Sequence, residues 1–300
     1  MKIINLLLVT LFLLASCESE PPPVYIQNCQ NTLGNIDRPE NTFYNIVVLL
    51  DLSNRIEKDK QSDKDLELIN TILNVFQNAQ KEFGYQFSKD KLSVKICKQK
   101  NNKVELNINA GDIIIDMDRQ NSGNMNFPNF CKQKDAFNTS INQLYDYAIE
   151  NESFYGADIW NFFNGEMTSL LKESNDKEKF KNKVIILTDG YLNFESNIER
   201  KRPRGTYMRG YYKMRNNKKW KEVFDDRDYK LNPHSHDYYD TEVMVLEVDP
   251  KKPTVYTNEF DILANYWETW FDDMGIKSNV YSRSKPIKDL VPLLKNNLYN

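Results

Sequence analysis

The chain has 300 residues, a formal net charge of −3 and 28% charged residues. This near balance of charge is typical of a soluble protein surface and gives no electrostatic argument for nucleic acid as a partner. No internal repeat is visible, and the sequence contains no G-x-S-x-G, P-loop or H-E-x-x-H motif. These features favour one large domain that is not an enzyme.

The N-terminus has the pattern of a bacterial lipoprotein signal peptide. Lys2 precedes an apolar run over residues 3–14, and Ala15, Ser16 and Cys17 follow it. The run is shorter than the roughly 20 apolar residues that a membrane-spanning helix needs. We therefore predict that residues 1–16 are a signal peptide and that Cys17 is the lipidated first residue of a bacterial outer-membrane lipoprotein, facing the periplasm or the cell surface. The alternatives are an ordinary secretory signal and a cytosolic chain with an apolar start, and release of a Cys17→Ser variant from the membrane fraction tests the lipid anchor.

The region after the signal peptide divides into a linker and a folded domain. Residues 17–40 are predicted to be a lipid-anchored linker, because residues 18–23 (ESEPPP) form an acidic segment stiffened by proline. Residues 41–300 are predicted to form one domain, since the pattern of strands and helices continues through them without a restart.

Three cysteines remain once Cys17 carries lipid. In an oxidising compartment two of them can pair. Cys97 ends a predicted strand and Cys131 closes the long loop that follows, so we predict a disulfide between Cys97 and Cys131, with Cys29 left near the membrane tether. Three free buried thiols are the alternative, because cysteine is among the most buried residue types.

Strand and helix patterns alternate along the domain. The predicted strands cover residues 45–50, 91–97, 103–109, 183–188, 242–248 and 276–281, and the predicted helices cover 62–87, 135–150, 158–171, a segment around 262–274 and a last segment from 287. Residues 91–97 and 103–109 both alternate and are expected to form a hairpin. Residues 191–240 interrupt the alternation as a long insertion after the fourth core strand. The pattern predicts an α/β fold with an open, mostly parallel sheet and helices on both faces.

Two of these strands run directly into an aspartate. The first apolar run ends at Asp51 and the strand at 183–188 ends at Asp189. Ligands of open parallel sheets bind outside the carboxyl ends of the strands, so we expect the two side chains to meet at one site. The alternative is that each aspartate only caps the helix that follows it.

At these residues the chain resembles the von Willebrand factor A (vWA) family, whose metal-ion-dependent adhesion site has an Asp-x-Ser-x-Ser element, a middle threonine and a T-D-G turn. The corresponding segments here are 51–55 (DLSNR), 156–159 (GADI) and 188–190 (TDG). The resemblance implies a Rossmann-like sheet with one short antiparallel edge strand. It also implies a degenerate site that keeps Asp51, Ser53 and Asp189, while Arg55 and Ala157 stand at ligand positions.

The departures from the family pattern leave two interpretations of the site. In one interpretation, Arg55 points away from the site and Asp158 substitutes for the missing threonine, so that oxygen ligands hold Mg²⁺ or Ca²⁺. In the other interpretation, Arg55 forms an ion pair with Asp51 or Asp189 and replaces the cation. We favour the second and expect no cofactor, because a guanidinium beside a divalent cation is strongly unfavourable.

The insertion contains a strongly basic segment. Residues 199–221 hold ten basic side chains against a single acid. We predict that this segment binds a partner protein of the envelope or the extracellular space, and the residues chosen are Arg200, Arg202, Arg204, Arg209, Tyr211 and Tyr212. The alternative is that the segment folds back and neutralises the acidic surface of its own domain.

The function predicted from these features is protein binding, adhesion or scaffolding by a lipid-anchored vWA-like domain outside the cytoplasm. A metal-dependent hydrolase that uses Asp51, Asp189, His234 and His236 is one alternative. An envelope lipoprotein with no ligand at this edge is another. The oligomeric state and the partner's identity stay open.

Overall fold

The computed structural model describes residues 23–27, 29, 33–34, 36–58, 60–97, 113–118, 123, 125–151, 157–193, 202–252 and 254–299. Within these ranges six strands form one sheet: β1 (Thr42–Leu50), β2 (Lys91–Ile96), β3 (Ile114–Asp116), β4 (Lys179–Leu187), β5 (Thr241–Val248) and β6 (Lys277–Ser282). The order is β3-β2-β1-β4-β5-β6, and every neighbouring pair is parallel except β2 and β3. The predicted α/β fold with a mostly parallel sheet and one antiparallel edge strand is confirmed.

Helices cover both faces of this sheet, as predicted. They are α1 (Val24–Gln27), α2 (Gln61–Phe83), α3 (Phe127–Asn151), α4 (Ile159–Asn164), α5 (Tyr211–Met214), α6 (Trp220–Asp226), α7 (Glu259–Asp273) and α8 (Ile287–Tyr299), with 3₁₀ turns at Asn54–Glu57 and Met167–Leu170. Side chains alternate across β1, so that Ile46 and Val48 join a core under α2, α3 and α8, whereas Val47 and Leu49 join a core under α4, α7 and the insertion.

Some predicted boundaries differ from the observed ones. Helix α3 begins at Phe127 rather than 135, because the Asn126 side chain accepts a hydrogen bond from the Asn129 N–H and Pro128 needs no partner for its nitrogen in the first turn. The predicted helix over 158–171 ends at Asn164 and continues as the 3₁₀ turn. The predicted strand at 103–109 lies outside the described residues, and residues 114–116 supply the antiparallel edge.

The predicted Cys97–Cys131 disulfide is wrong. The bridge joins Cys29 to Cys131, with 5.5 Å between their Cα atoms, and Cys97 is a buried free thiol. The reason is the sheet itself: Cys97 packs in the core beside α4 and α7, whereas Cys29 and Cys131 pack in the core on the opposite face. The carbonyl of Cys29 also accepts a hydrogen bond of 2.6 Å from the side chain of Gln77 on α2.

Part of the segment before residue 41 packs against the domain. Cys29 and Ile36 are buried in the core under α2 and α3. The Arg38 guanidinium forms a buried ion pair of 2.7 Å with Asp90, directly before β2, and lies over the ring of Phe83. Residues before the predicted domain start at residue 41 therefore also pack against the domain, namely Cys29, Ile36 and Arg38.

In the part of the chain that the structure describes, no helix combines the length and the apolar character that crossing a membrane requires.

The disulfide makes a testable prediction. It closes a separation of 102 residues, for which the loop-entropy estimate is about 4.7 kcal/mol, and measured values for disulfides are typically about 2–4 kcal/mol. We expect Cys131→Ser to lower the free energy of unfolding by about 2–4 kcal/mol. The Cys29→Ser, Cys131→Ser double variant should lose no more than either single variant, since all three lack the same bond. Non-reducing peptide mapping that finds Cys97 in a bridge would contradict the assignment.

Candidate functional site

The carboxylate of Asp51 joins the carboxyl ends of the two central strands. The backbone N–H of Asp51 donates to the Leu187 carbonyl at 3.0 Å, so β1 and β4 end side by side. One carboxylate oxygen accepts from the Ser53 N–H at 3.0 Å, and the other accepts from the Thr188 hydroxyl at 2.7 Å. Asp51 is 3% exposed. Both of its oxygens are thus engaged inside the protein.

Asp189 lies at the same edge, where the sequence analysis expected it. The Tyr191 N–H donates to its Oδ1 at 3.3 Å, and its side chain is 15% exposed. Burial and the nearby Asp51 carboxylate raise the pKa of Asp189, while the positive charges of Lys58 and Arg55 act in the opposite direction. Asp51 and Asp189 therefore follow the carboxyl ends of two neighbouring parallel strands.

Gly190 holds the turn after Asp189 in place. Its φ of +91° is in the region that favours glycine, and a Cβ there would come within 2.8 Å of Val248 Cγ1. The Gly190 carbonyl accepts a hydrogen bond of 3.0 Å from the Trp267 indole on α7. A larger residue would therefore displace the turn that presents Asp189.

A lysine and a third aspartate complete this edge, and neither was predicted. The Lys58 ammonium lies 3.0 Å from Asp249 Oδ2 and 3.8 Å from Asp189 Oδ2. Asp249 directly follows β5, so it repeats the pattern of a strand that runs into an aspartate, a signal that could have identified it. Lys58 follows a short 3₁₀ turn and carries no comparable signal.

Arg55 pairs with neither of the predicted carboxylates. Its Nη2 donates to Asp65 Oδ2 on α2 at 2.6 Å, and its Nε donates to the backbone carbonyl of Asp51 at 2.8 Å. The 3₁₀ turn directs the side chain inward, where the Tyr145 hydroxyl and the Gln61 amide also donate to Asp65 at 2.9 Å. Burial favours the neutral guanidinium, but the Asp65 and Asp51 carboxylates outweigh it and raise the pKa of Arg55 above its ordinary value.

Asp158 is also engaged elsewhere. It caps α4 by accepting from the Asn161 N–H at 3.2 Å. The Arg202 guanidinium donates to both of its carboxylate oxygens, each at 2.8 Å. This two-point pairing occupies the oxygens that a metal ion would need, so the prediction that Asp158 replaces the missing threonine as a ligand is not supported by the geometry.

The donor set does not fit a divalent cation. Asp51 is satisfied by protein donors, Asp158 is held by Arg202, and the Lys58 ammonium stands beside Asp189. Among the described residues, no group of three or more His, Cys, Asp or Glu side chains is arranged to hold a metal ion. Positive side chains of the protein itself balance Asp158 and Asp189, and neutral donors satisfy Asp51.

The two histidines are held against α4. His234 Nε2 lies 3.1 Å from the Trp160 carbonyl and His236 Nε2 lies 2.9 Å from the Asn164 carbonyl, so each nitrogen carries a proton and donates. Burial lowers the pKa of His234, which favours the neutral ring. No hydrogen bond or ion pair within the described chain joins either histidine to Asp51 or Asp189. The structure therefore does not assemble the hydrolase site of the alternative hypothesis.

The predicted partner-binding residues do not form one surface. Arg202 is committed to Asp158, and Arg209 donates to the Asp228 carbonyl at 2.8 Å. Tyr211 is 2% exposed, whereas Tyr212 is 63% exposed and Arg204 is exposed. Arg200 lies outside the described residues. Part of the basic segment thus folds back onto its own domain, as the alternative interpretation held.

Comparison with known proteins gives only distant similarity. No protein-family model and no curated protein matches the chain. Among solved structures, the pilus adhesin SpaC from Lactobacillus rhamnosus GG in its open conformation is similar, with 10% sequence identity and a TM-score of 0.40 over 88% of this chain and 30% of the adhesin. Another crystal structure of that adhesin gives 12% identity and a TM-score of 0.38 over the same shares. The chain thus spans less than a third of the adhesin's length, and this degree of likeness assigns neither a family nor a function.

Asp189→Asn makes a prediction with a defined pH dependence. The pKa of Asp189 is higher in the folded chain than the roughly 3.9 of an unfolded aspartate. The folded state therefore binds more protons between these two values, and its stability falls as the pH rises through them. We expect Asp189→Asn to raise the urea midpoint at pH 7, with the gain vanishing below about pH 4. Asparagine keeps the oxygen that accepts the Tyr191 N–H.

Exposed Asp176 supplies the matched control. Asp176→Asn should leave the urea midpoint nearly unchanged at both pH values. A loss of stability at pH 7 in Asp189→Asn would show that the charge of Asp189 stabilises the fold, contrary to the prediction.

Proposed function

We propose that the chain is a lipid-anchored, vWA-like domain outside the cytoplasm that binds another protein without a divalent cation. Binding uses the strand-end edge, which we define as Asp51, Ser53, Lys58, Asp189 and Asp249. The lipid is attached at Cys17, and the membrane contact of the protein is through this lipid.

The position of the Lys58 ammonium carries the proposal. It lies beside Asp189 and Asp249 and balances their charge, and Asp189 stands at a metal-ligand position of the family that the chain resembles. Lys58 and Asp249 are 36% and 28% exposed, so this pair is open to a partner. An edge of this kind offers a donor and two carboxylates for polar contacts, which favour specificity in protein association.

Two further features support a vWA-like domain. The short antiparallel strand β3 occupies one edge of the sheet, as the resemblance implies. The DLSNR and TDG segments follow β1 and β4, and the Asp51 to Thr188 hydrogen bond joins them. A catalytic role has less support, because the Thr188 hydroxyl that donates to Asp51 is fully buried and a substrate cannot reach it.

Photo-crosslinking tests the binding edge. Asn54 is exposed beside Ser53, and Asp176 is exposed before β4 at the opposite end of the sheet. A photoreactive phenylalanine analogue at position 54 should yield a discrete protein adduct in intact cells, and the same analogue at position 176 should not. The adduct should survive EDTA and be lost when Lys58→Glu reverses the charge of the edge.

The alternatives give different results in this experiment. Adducts that disappear with EDTA would contradict the metal-free proposal. An envelope lipoprotein without a ligand at this edge would give no adduct from either position. Release of a Cys17→Ser variant from the membrane fraction checks the anchor separately.

A further inference from the structure

Arg215 stands out within the basic insertion because tyrosine rings surround its guanidinium. The guanidinium carbon lies 4.1 Å from the ring centre of Tyr256, 4.8 Å from that of Tyr212 and 5.8 Å from that of Tyr211. Contact with aromatic faces restrains the planar guanidinium. Its N–H groups point outward in the plane of the group, where they can donate to an acceptor.

This guanidinium has no acidic partner in the described part of the chain. Its Nε is buried and makes no hydrogen bond, and no carboxylate of the described residues lies within ion-pair distance. Arg55 and Arg202 differ, because Arg55 is paired with Asp65 and Arg202 with Asp158. An incoming carboxylate can therefore supply the missing counter-charge through the Nη groups.

The surface around Arg215 combines exposed apolar groups with positive charge. Tyr212 is 63% exposed, and Val255, next to Tyr256, is 65% exposed. All charged side chains from Arg209 to Lys221 are basic, as are the exposed neighbours Lys251 and Lys252. Such a surface is complementary to an acidic segment that also carries apolar side chains.

Buried hydrogen bonds hold this surface in position and connect it to the strand-end edge. The Tyr191 hydroxyl lies 3.2 Å from the Tyr211 hydroxyl and donates to the buried Glu259 carboxylate at 2.9 Å. The other Glu259 oxygen accepts from the Lys252 N–H at 2.9 Å. The backbone N–H of Tyr191 also donates to Asp189 Oδ1. These hydrogen bonds therefore connect helix α5 and the loop after β5 to the end of the sheet.

We propose that Arg215, framed by Tyr212 and Tyr256, binds a carboxylate in an acidic segment of the partner protein. The proposal rests on the proposed function and names the chemistry that the partner presents. The guanidinium donates two parallel N–H groups to one carboxylate, and the exposed Tyr212 and Val255 contact the apolar side chains beside it.

Fluorescence anisotropy with a labelled peptide, Glu-Glu-Leu-Glu-Glu-Leu, tests the proposal on the full-length protein in a neutral detergent. We expect binding at low ionic strength that weakens with salt.

Arg215→Gln should weaken peptide binding by about tenfold, the loss typical of a charge-assisted pair. Arg215→Lys should lose nearly as much, because lysine has no planar fork. Lys218→Gln removes one exposed charge from the same segment and should cost about twofold or less. Thermal melts should show all variants folded.

The contrary outcomes are distinct. Equal losses in Arg215→Gln and Lys218→Gln, or full binding by Arg215→Lys, would reduce the effect to general electrostatics and overturn the proposal. No peptide binding, with Arg215-dependent binding of a heparin fragment or of inorganic phosphate, would assign the surface to another anion. In either case the acidic-segment proposal fails. The proposed function would still stand if the adduct from position 54 persists in Arg215→Gln.

Discussion

The buried carboxylate of Asp51 is the contact on which the end of this sheet depends. It sits between the ends of β1 and β4, and its two oxygens take the Ser53 N–H and the Thr188 hydroxyl. A buried ionised carboxylate is tolerated only when donors surround it, and here they come from the turns that follow both strands. The hydrogen bonds that satisfy Asp51 therefore also fix the loops that carry Lys58 and Asp189.

Charge balance inside the chain is the common feature of this edge. Arg55 pairs with Asp65, Lys58 with Asp189 and Asp249, and Arg202 with Asp158. Removing one member of a buried pair leaves an uncompensated charge, which is far more costly than losing an exposed pair. Asp158 and Asp189 are matched by basic side chains and Asp51 by neutral hydrogen-bond donors, and this is why we propose binding without a cation. Arg215, in contrast to Arg55 and Arg202, has no carboxylate partner among the described residues, and for this reason we propose that it binds a partner protein.

Periodic apolar runs predict the parallel sheet and its helices, because strands that are buried on both faces and amphipathic helices leave clear patterns. The antiparallel edge strand was implied only by the family resemblance. The convergence of Asp51 and Asp189 followed from the parallel sheet. Asp249 obeys the same rule, because it directly follows β5. The partner of Arg55 depends on how a 3₁₀ turn directs one side chain towards α2, and the disulfide depends on which face of the sheet each cysteine occupies. Tertiary packing decides both, and neither has a local signature.

Calorimetric titration with MgCl₂ tests the central claim, that Lys58 takes the place of a metal ion, most directly. The unmodified protein should show no saturable binding at millimolar Mg²⁺. Lys58→Met keeps an unbranched side chain, one atom shorter, and removes its charge, so Asp189 and Asp249 lose their counter-charge and weak saturable binding should appear. Saturable Mg²⁺ binding by the unmodified protein that Asp189→Asn abolishes would contradict the account.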